Sequence, residues 1–227
     1  DVQEAEPNFN KAPEDQDYKN PLLDLDKVIM TPHLGASTKE ASLNCSLGVS
    51  KNVEAVLSGE LVGAVNMPPI TGDLSELKPY VTLGEKLGAI YYQAEKERVH
   101  KIEIIYSGDL ADKPTKLITL SVVKGFLSVV SESEINYVNA KLKLSEMGVE
   151  LVESKSSQLE KYANLITVKF YRKSNSISVS GTVFAKDAIR IVDFFGYTLD
   201  FEPTSHVLAL QNKDVPGIIG KVGTLLG

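Results

Sequence analysis

The sequence predicts an α/β and α+β chain: a strand–turn–helix segment, then an independent domain of mixed helices and strands, then a second short strand–helix piece. Three observations carry this. Helical patterns at 83–96, 115–130 and 138–147 lie beside four or five strand patterns, a mixture that a stretch of about 130 residues can close around one core. Asn66-Met67-Pro68-Pro69-Ile70-Thr71-Gly72 interrupts the pattern with two adjacent prolines, which withhold backbone donors and favour extended geometry, and marks a boundary. Pro203-Thr204-Ser205 makes a second, shorter break.

Residues 3–26 are acidic and loop-like, with Pro7, Pro13 and Pro21, and Pro21-Leu22-Leu23 can form a short turn of helix. Val28-Ile29-Met30 reads as a short buried strand running into Thr31-Pro32-His33-Leu34-Gly35-Ala36-Ser37-Thr38. Ser37 to Glu40 reads as a capping box. It opens a helix at 38–58 with apolar Ala41, Leu43, Leu47, Val49, Val53, Val56 and Leu57, and Gly59 suits its stop. Past the prolines, Thr82 and Glu85 suggest a second capping box, with Leu83, Leu87, Ile90 and Ala94 on the helical face behind it. Lys101 to Tyr106 alternates as a half-buried strand should. Residues 115–130 have the length and composition of a helix, against which Gly125 counts, and Gly148 ends the helix at 138–147. Strands are expected at 149–154, 164–172 and 176–185, and as a pair around Phe195-Gly196. A strand at 206–211 and a helix at 217–226, apolar at Ile218, Ile219, Val222 and Leu225, complete the chain.

Composition narrows the function classes. Of 227 residues, 43% are apolar and 24% charged, which is ordinary for a globular protein. No stretch approaches the roughly 18 consecutive apolar residues of a spanning helix, so no membrane partner is expected. The N-terminus is acidic and lacks the apolar core of a signal peptide. A net charge of −6, with Lys and Arg scattered, argues against a nucleic-acid surface. The single cysteine, Cys45, excludes an internal disulfide framework and a cysteine-rich zinc site, and points to a reducing cytoplasm. Both ends are abrupt, so the chain is expected to be part of a longer protein.

Few residues are placed for chemistry. There is no GxGxxG, and Gly217-Ile218-Ile219-Gly220-Lys221 fails as a P-loop because Val215 stands where the first Gly belongs and Val222 where Ser/Thr belongs. His33, His100 and His206 are far apart and have no cysteine nearby, so no metal site is expected. His100 and His206 each open a strand pattern and read as surface or packing residues. His33 stands on a strand-to-helix turn beside Gly35; that position suits a ligand-facing histidine and a plain surface one equally. A carboxylate on its other ring nitrogen would fix the tautomer and stabilise the imidazolium. Glu6, just ahead of Pro7, is one candidate, and spacing alone does not choose it over Glu4, Glu14 or Asp17.

These segments together are recognisable. Asp1-Val2 with Glu6-Pro7, then Asn20-Pro21-Leu22-Leu23, then Val28 through Ala41 resemble the closing segment of the D-2-hydroxyacid dehydrogenases. The Gly-Ala-Ser-Thr form points to the D-3-phosphoglycerate dehydrogenase branch. The resemblance implies Glu6 and His33 as the catalytic Glu–His pair, and NAD contacts at His33, Gly35 and Ala36. It implies that residues 1–70 are the tail of a Rossmann-type catalytic domain. Residues 73–203 would be the intervening regulatory (allosteric substrate-binding) domain, and 204–227 the start of a ferredoxin-like ACT domain. The implied reaction is NAD-dependent oxidation of 3-phosphoglycerate to 3-phosphohydroxypyruvate, on the route to L-serine, in a homo-oligomer expected to be a tetramer. L-serine as effector would meet Asp214 and Asn212, and Arg190 is a candidate anion ligand of the middle domain. On the residues alone, Asp214 could equally shape a Pro-Gly turn and Arg190 could be a solvated surface residue. The family's glycine-rich fingerprint is absent from this sequence, so the chain alone is expected to be inactive. The competing reading is a non-catalytic regulatory module that binds L-serine or an anion.

Overall fold

The computed structural model describes residues 21–29, 37–58, 74–157, 161–185, 187–213 and 215–227. It divides into two units, Asp1–Val62 and Gly63–Gly227.

The first unit contributes a 3-10 turn at Pro21–Asp24 and helix α1, Lys39–Leu57. Its cap is Thr38 rather than Ser37: the Thr38 hydroxyl accepts from the Ala41 amide at 3.1 Å, one residue later than the expected box. Gly59, the expected stop, lies outside the described residues; Ser58 closes the helix there. The buried strand expected at 28–30 is not formed at Val28 and Ile29, and Ile29 is 92% exposed. A strand exists only where a neighbour completes its ladder, and none of the described residues pairs with these two. No residue of α1 is buried, and Leu43, Leu47, Val49, Val53 and Leu57 stand exposed.

The second unit is built on one six-stranded sheet in the order β2-β1-β3-β4-β5-β6. The strands are β1 Val99–Gly108, β2 Glu150–Ser156, β3 Asn164–Arg172, β4 Ser176–Phe184, β5 Ala188–Phe194 and β6 Tyr197–Phe201. β1 and β2 are parallel, joined by a crossover through helices α3 (Lys116–Ser128) and α4 (Ala140–Glu146); every other pairing is antiparallel. This is the expected α+β mixture, its six strands lying at 101–106, 149–154, 164–172, 176–185 and the pair around Phe195-Gly196 to within a few residues. Phe195 and Gly196 both have positive φ (53° and 89°), which turns β5 into β6 as a tight hairpin.

Helix α2, Leu74–Ala94, starts eight residues ahead of Thr82. Thr82 does not cap it; its hydroxyl donates back to the Lys78 carbonyl, and Glu85 points away to another helix. The apolar seam Leu77, Val81, Gly84, Gly88, Tyr91 already steps by four and three residues from Leu77, and this burial carries the helix through Pro79.

One face of the sheet forms the core. Ile102, Ile104 and Tyr106 of β1 stand in register with Phe170, Val168 and Ile166 of β3, and Val179 of β4 continues the row. Tyr91, Phe126 and Phe170 pack ring to ring across α2, α3 and β3. The two helices meet closely because Gly84, Gly88 and Gly125 face the partner helix. A Cβ on Gly88 would lie 2.0 Å from the Val122 carbonyl oxygen, and one on Gly125 1.9 Å from that of Glu85. Gly125, which weakened the helical reading, is what lets α3 sit there.

One expectation at the C-terminal end is corrected. Residues 206–211 form no strand, and Val207, Leu208 and Leu210 are exposed. Helix α5, Ile218–Leu226, forms as expected but buries none of its residues; Ile219 and Leu225 are 89% and 88% exposed. Propensity and a Pro-Gly entry suffice to draw a helix, whereas a strand needs a ladder. Among the described residues no helix is long and apolar enough to cross a membrane.

Candidate functional site

The residues singled out for chemistry divide between described and undescribed parts of the chain. Glu6, His33, Gly35, Ala36 and Asp214 lie outside the described residues. The described flank of the His33 turn is the start of α1, where Ser37, Thr38, Lys39, Ser42, Leu43 and Ser46 line a shallow, open depression. Thr38 caps the helix there, its hydroxyl accepting from the Ala41 amide.

Arg190 lies on β5, opposite Thr182 of β4, and its Nε donates to Asp200 Oδ1 of β6 at 2.7 Å. Its guanidinium is one third exposed and already engaged, so an anion would have to share it with Asp200. Asn212 is exposed and its side-chain amide donates to the Lys213 carbonyl at 3.0 Å. Arg190 and Asn212 each bond to a residue of their own neighbourhood and not to one another.

A cluster that sequence reasoning passed over lies on the sheet face away from the core. Glu103 accepts from the Tyr171 hydroxyl at 2.6 Å and from Ser154 at 3.2 Å, so β1, β2 and β3 are tied across one carboxylate. The Tyr171 hydrogen bond, helped by Ser154, Lys169 and Lys101, holds the Glu103 carboxyl below the usual carboxylate range, against a smaller opposing effect of burial. The same bond raises the Tyr171 phenol. Lys101 stands over the Tyr171 ring at 5.1 Å. The polar positions of the alternating strand Lys101–Tyr106 were its only signal in the sequence. The Glu103, Tyr171 and Ser154 side chains bond to one another, so the group ties three strands together.

Beneath the helices, the Tyr106 hydroxyl meets Thr119 Oγ1 at 2.8 Å, and burial pushes its phenol far up. Tyr91 donates to the Glu97 carbonyl at 2.8 Å and is pushed up to about 12, mainly by burial. Glu85 joins Lys124 at 2.9 Å and Tyr137 at 3.4 Å, clamping α2, α3 and the segment before α4. Burial first and Glu85 second push Tyr137 up to about 12. Among the described residues no group of three or more His, Cys, Asp or Glu could hold a metal, and no buried side-chain polar atom lacks a partner.

The sheet with its helices on one side is thus a self-satisfied α+β module, and comparison with known proteins says which one. Residues 76–195 match the family model described as the D-3-phosphoglycerate dehydrogenase intervening domain, which runs from the first turn of α2 to the β5–β6 turn. The chain belongs to the D-3-phosphoglycerate dehydrogenase family. It is 39% identical over 210 residues to the D-3-phosphoglycerate dehydrogenase of Bacillus subtilis and 40% identical over 210 residues to that of Methanocaldococcus jannaschii. Each match takes in 92% of this chain and 40% of the relative. With the enzyme of Archaeoglobus fulgidus it shares 36% identity over 221 residues, 96% of this chain and 41% of the relative. The chain therefore spans about two fifths of the length of the curated relatives it matches.

Proposed function

We propose that this chain is the C-terminal part of an enzyme that oxidises 3-phosphoglycerate to 3-phosphohydroxypyruvate in L-serine biosynthesis, with NAD as the two-electron acceptor. The observation that carries the reading is the co-occurrence, in one chain, of the Glu6-Pro7 and Pro32-His33-Leu34-Gly35 segments with the intervening-domain match at 76–195. In this reading residues 1–70 close the catalytic domain, 73–203 are the regulatory domain and 204–227 open an ACT domain. The uncovered apolar residues of α1 and α5 fit both flanking assignments, because each helix then has a further layer to receive it.

The residues present do not by themselves make an NAD site. The sequence has no glycine-rich fingerprint, and the described start of α1 offers only an open depression. The chain's own share of the chemistry is the proton. His33 takes it from the C2 hydroxyl, and Glu6 on the far ring nitrogen holds the tautomer and the cationic product state. Gly35 and Ala36 would line the cofactor side. The chain alone turns over no substrate, and a reducing, cytoplasmic, tetrameric setting follows from the same reading. The second role, binding of L-serine or an anion near Asp214, Asn212 and Arg190, would belong to the regulatory part of the same protein.

The test is His33→Asn in the full-length enzyme. Turnover should fall by about a hundredfold or more, the range of a lost general base, with NAD affinity little changed. An unchanged rate removes His33 from the mechanism.

A further inference from the structure

The two edges of the sheet are guarded very differently. β6 is short, its register with β5 breaks between Ile191 and Asp193, and Gln211 Nε2 reaches its Tyr197 hydroxyl at 2.6 Å. These are devices that blunt an edge. β2, at the other end, is paired to β1 through seven consecutive residues without a break, and Glu150-Leu151-Val152-Glu153-Ser154-Lys155-Ser156 contains no proline or glycine. Among the described residues no strand pairs with its outer side.

Lys155 alone would protect such an edge, because a second copy would bring up a like charge. Glu153 stands two residues before it and on the same side of the sheet: their β1 partners are Tyr106 and Ile104, both core-facing. Glu153 is exposed and holds no salt bridge among the described residues. Lys155 gives one N–H to the Lys113 carbonyl at 3.0 Å and keeps two donors.

We propose that β2 pairs antiparallel with β2 of a second copy of this chain about a two-fold axis at Ser154. Facing residues of an antiparallel pair share a side of the sheet, so such an axis must pass through a residue position. An axis at Glu153 sets the two Glu153 side chains against each other, and one at Lys155 opposes the two lysines. The axis at Ser154 places each Glu153 opposite the second copy's Lys155, giving two cross-strand ion pairs. Because the axis is normal to the sheet, the helices of both copies stay on one side and the two sheets become continuous. The pairing specifies the surface behind the homo-oligomer reading and is independent of the dehydrogenase chemistry.

The experiment is sedimentation equilibrium of the 227-residue chain at rising concentration. The parent should dimerise. Glu153→Lys, which converts both attractive pairs into like-charge pairs, should raise the dimer Kd by about tenfold or more. Adding Lys155→Glu should bring it back to within about threefold of the parent, because each position then faces an opposite charge again. Ser154→Cys in a Cys45→Ser background should form an interchain disulfide on mild oxidation, since facing Cα atoms lie about 4.5–5.5 Å apart. A monomer at every concentration overturns the pairing together with self-association of this chain. A dimer indifferent to Glu153→Lys, or not restored by the double reversal, overturns the β2 edge alone and leaves the homo-oligomer reading standing.

Discussion

Replacing Gly125 by alanine tests whether the close approach of α2 and α3 holds the intervening domain together. A Cβ built on Gly125 falls 1.9 Å from the Glu85 carbonyl oxygen, 2.7 Å from its carbon and 3.0 Å from its Cα. Ordinary contact begins at 3.4 Å, so the helices must shift by 3.4 − 1.9, or 1.5 Å. The obstacle is backbone and cannot rotate away. The neighbouring Phe126 ring, fully buried, sits 4.8 Å from Tyr92 and 5.8 Å from Phe170, so the shift also opens the aromatic core. Overpacking of this kind costs about 1–3 kcal/mol, and a rigid obstacle places it at the upper end. Alanine recovers about 1 kcal/mol of helix propensity. The net expectation is a loss of about 2 kcal/mol, or about 4–8 °C in Tm for a domain of this size. Urea denaturation followed by circular dichroism should show a lower midpoint with an unchanged slope. The same change at Gly223 of α5, with nothing within 4 Å of its Cβ, is the control and should not destabilise. A Gly125→Ala protein as stable as the parent would refute the reasoning.

Tyr171→Phe removes the main cause of the lowered Glu103 pKa, so that carboxyl should titrate closer to its usual 4.5 by carbon-detected NMR; no movement means the bond does not act on it. A group whose folded pKa is depressed contributes stability above its unfolded value and loses it as pH falls through the folded one. The parent should therefore lose this contribution below pH 4.5, and Tyr171→Phe should flatten that part of the acid limb. Ala185 has φ 51° in the left-handed region, where an L side chain costs about 1–2 kcal/mol, so Ala185→Gly should stabilise by up to about 1 kcal/mol after the entropy of the added glycine. A lower urea midpoint for Ala185→Gly would show that the turn is not strained.

Much of the sheet was legible because its signals are local. Lys101 to Tyr106 alternates, Phe195-Gly196 is a hairpin turn in composition, and Gly148 (φ 70°) ends α4 as a glycine after a helix should. The start of α2 was missed because Thr82 and Glu85 form a local cap pattern that tertiary burial of Leu77 and Val81 overrides. The strands expected at 28–30 and 206–211 carry apolar patterns as good as β1, but a pattern gives no hydrogen-bond partner. For the candidate site the short segments around Glu6 and His33 were legible as motifs. The Glu103–Tyr171–Ser154 tie was not, since its members are separated by up to 68 residues.

By itself the sequence determined the membership of the chain and its periodic elements, because motif spacing and hydrophobic period are properties of neighbouring residues. The tertiary structure decided which faces are buried, why Gly125 belongs inside a helix, and which strand ends the sheet among the described residues. Those depend on distances between segments that the order of residues does not contain.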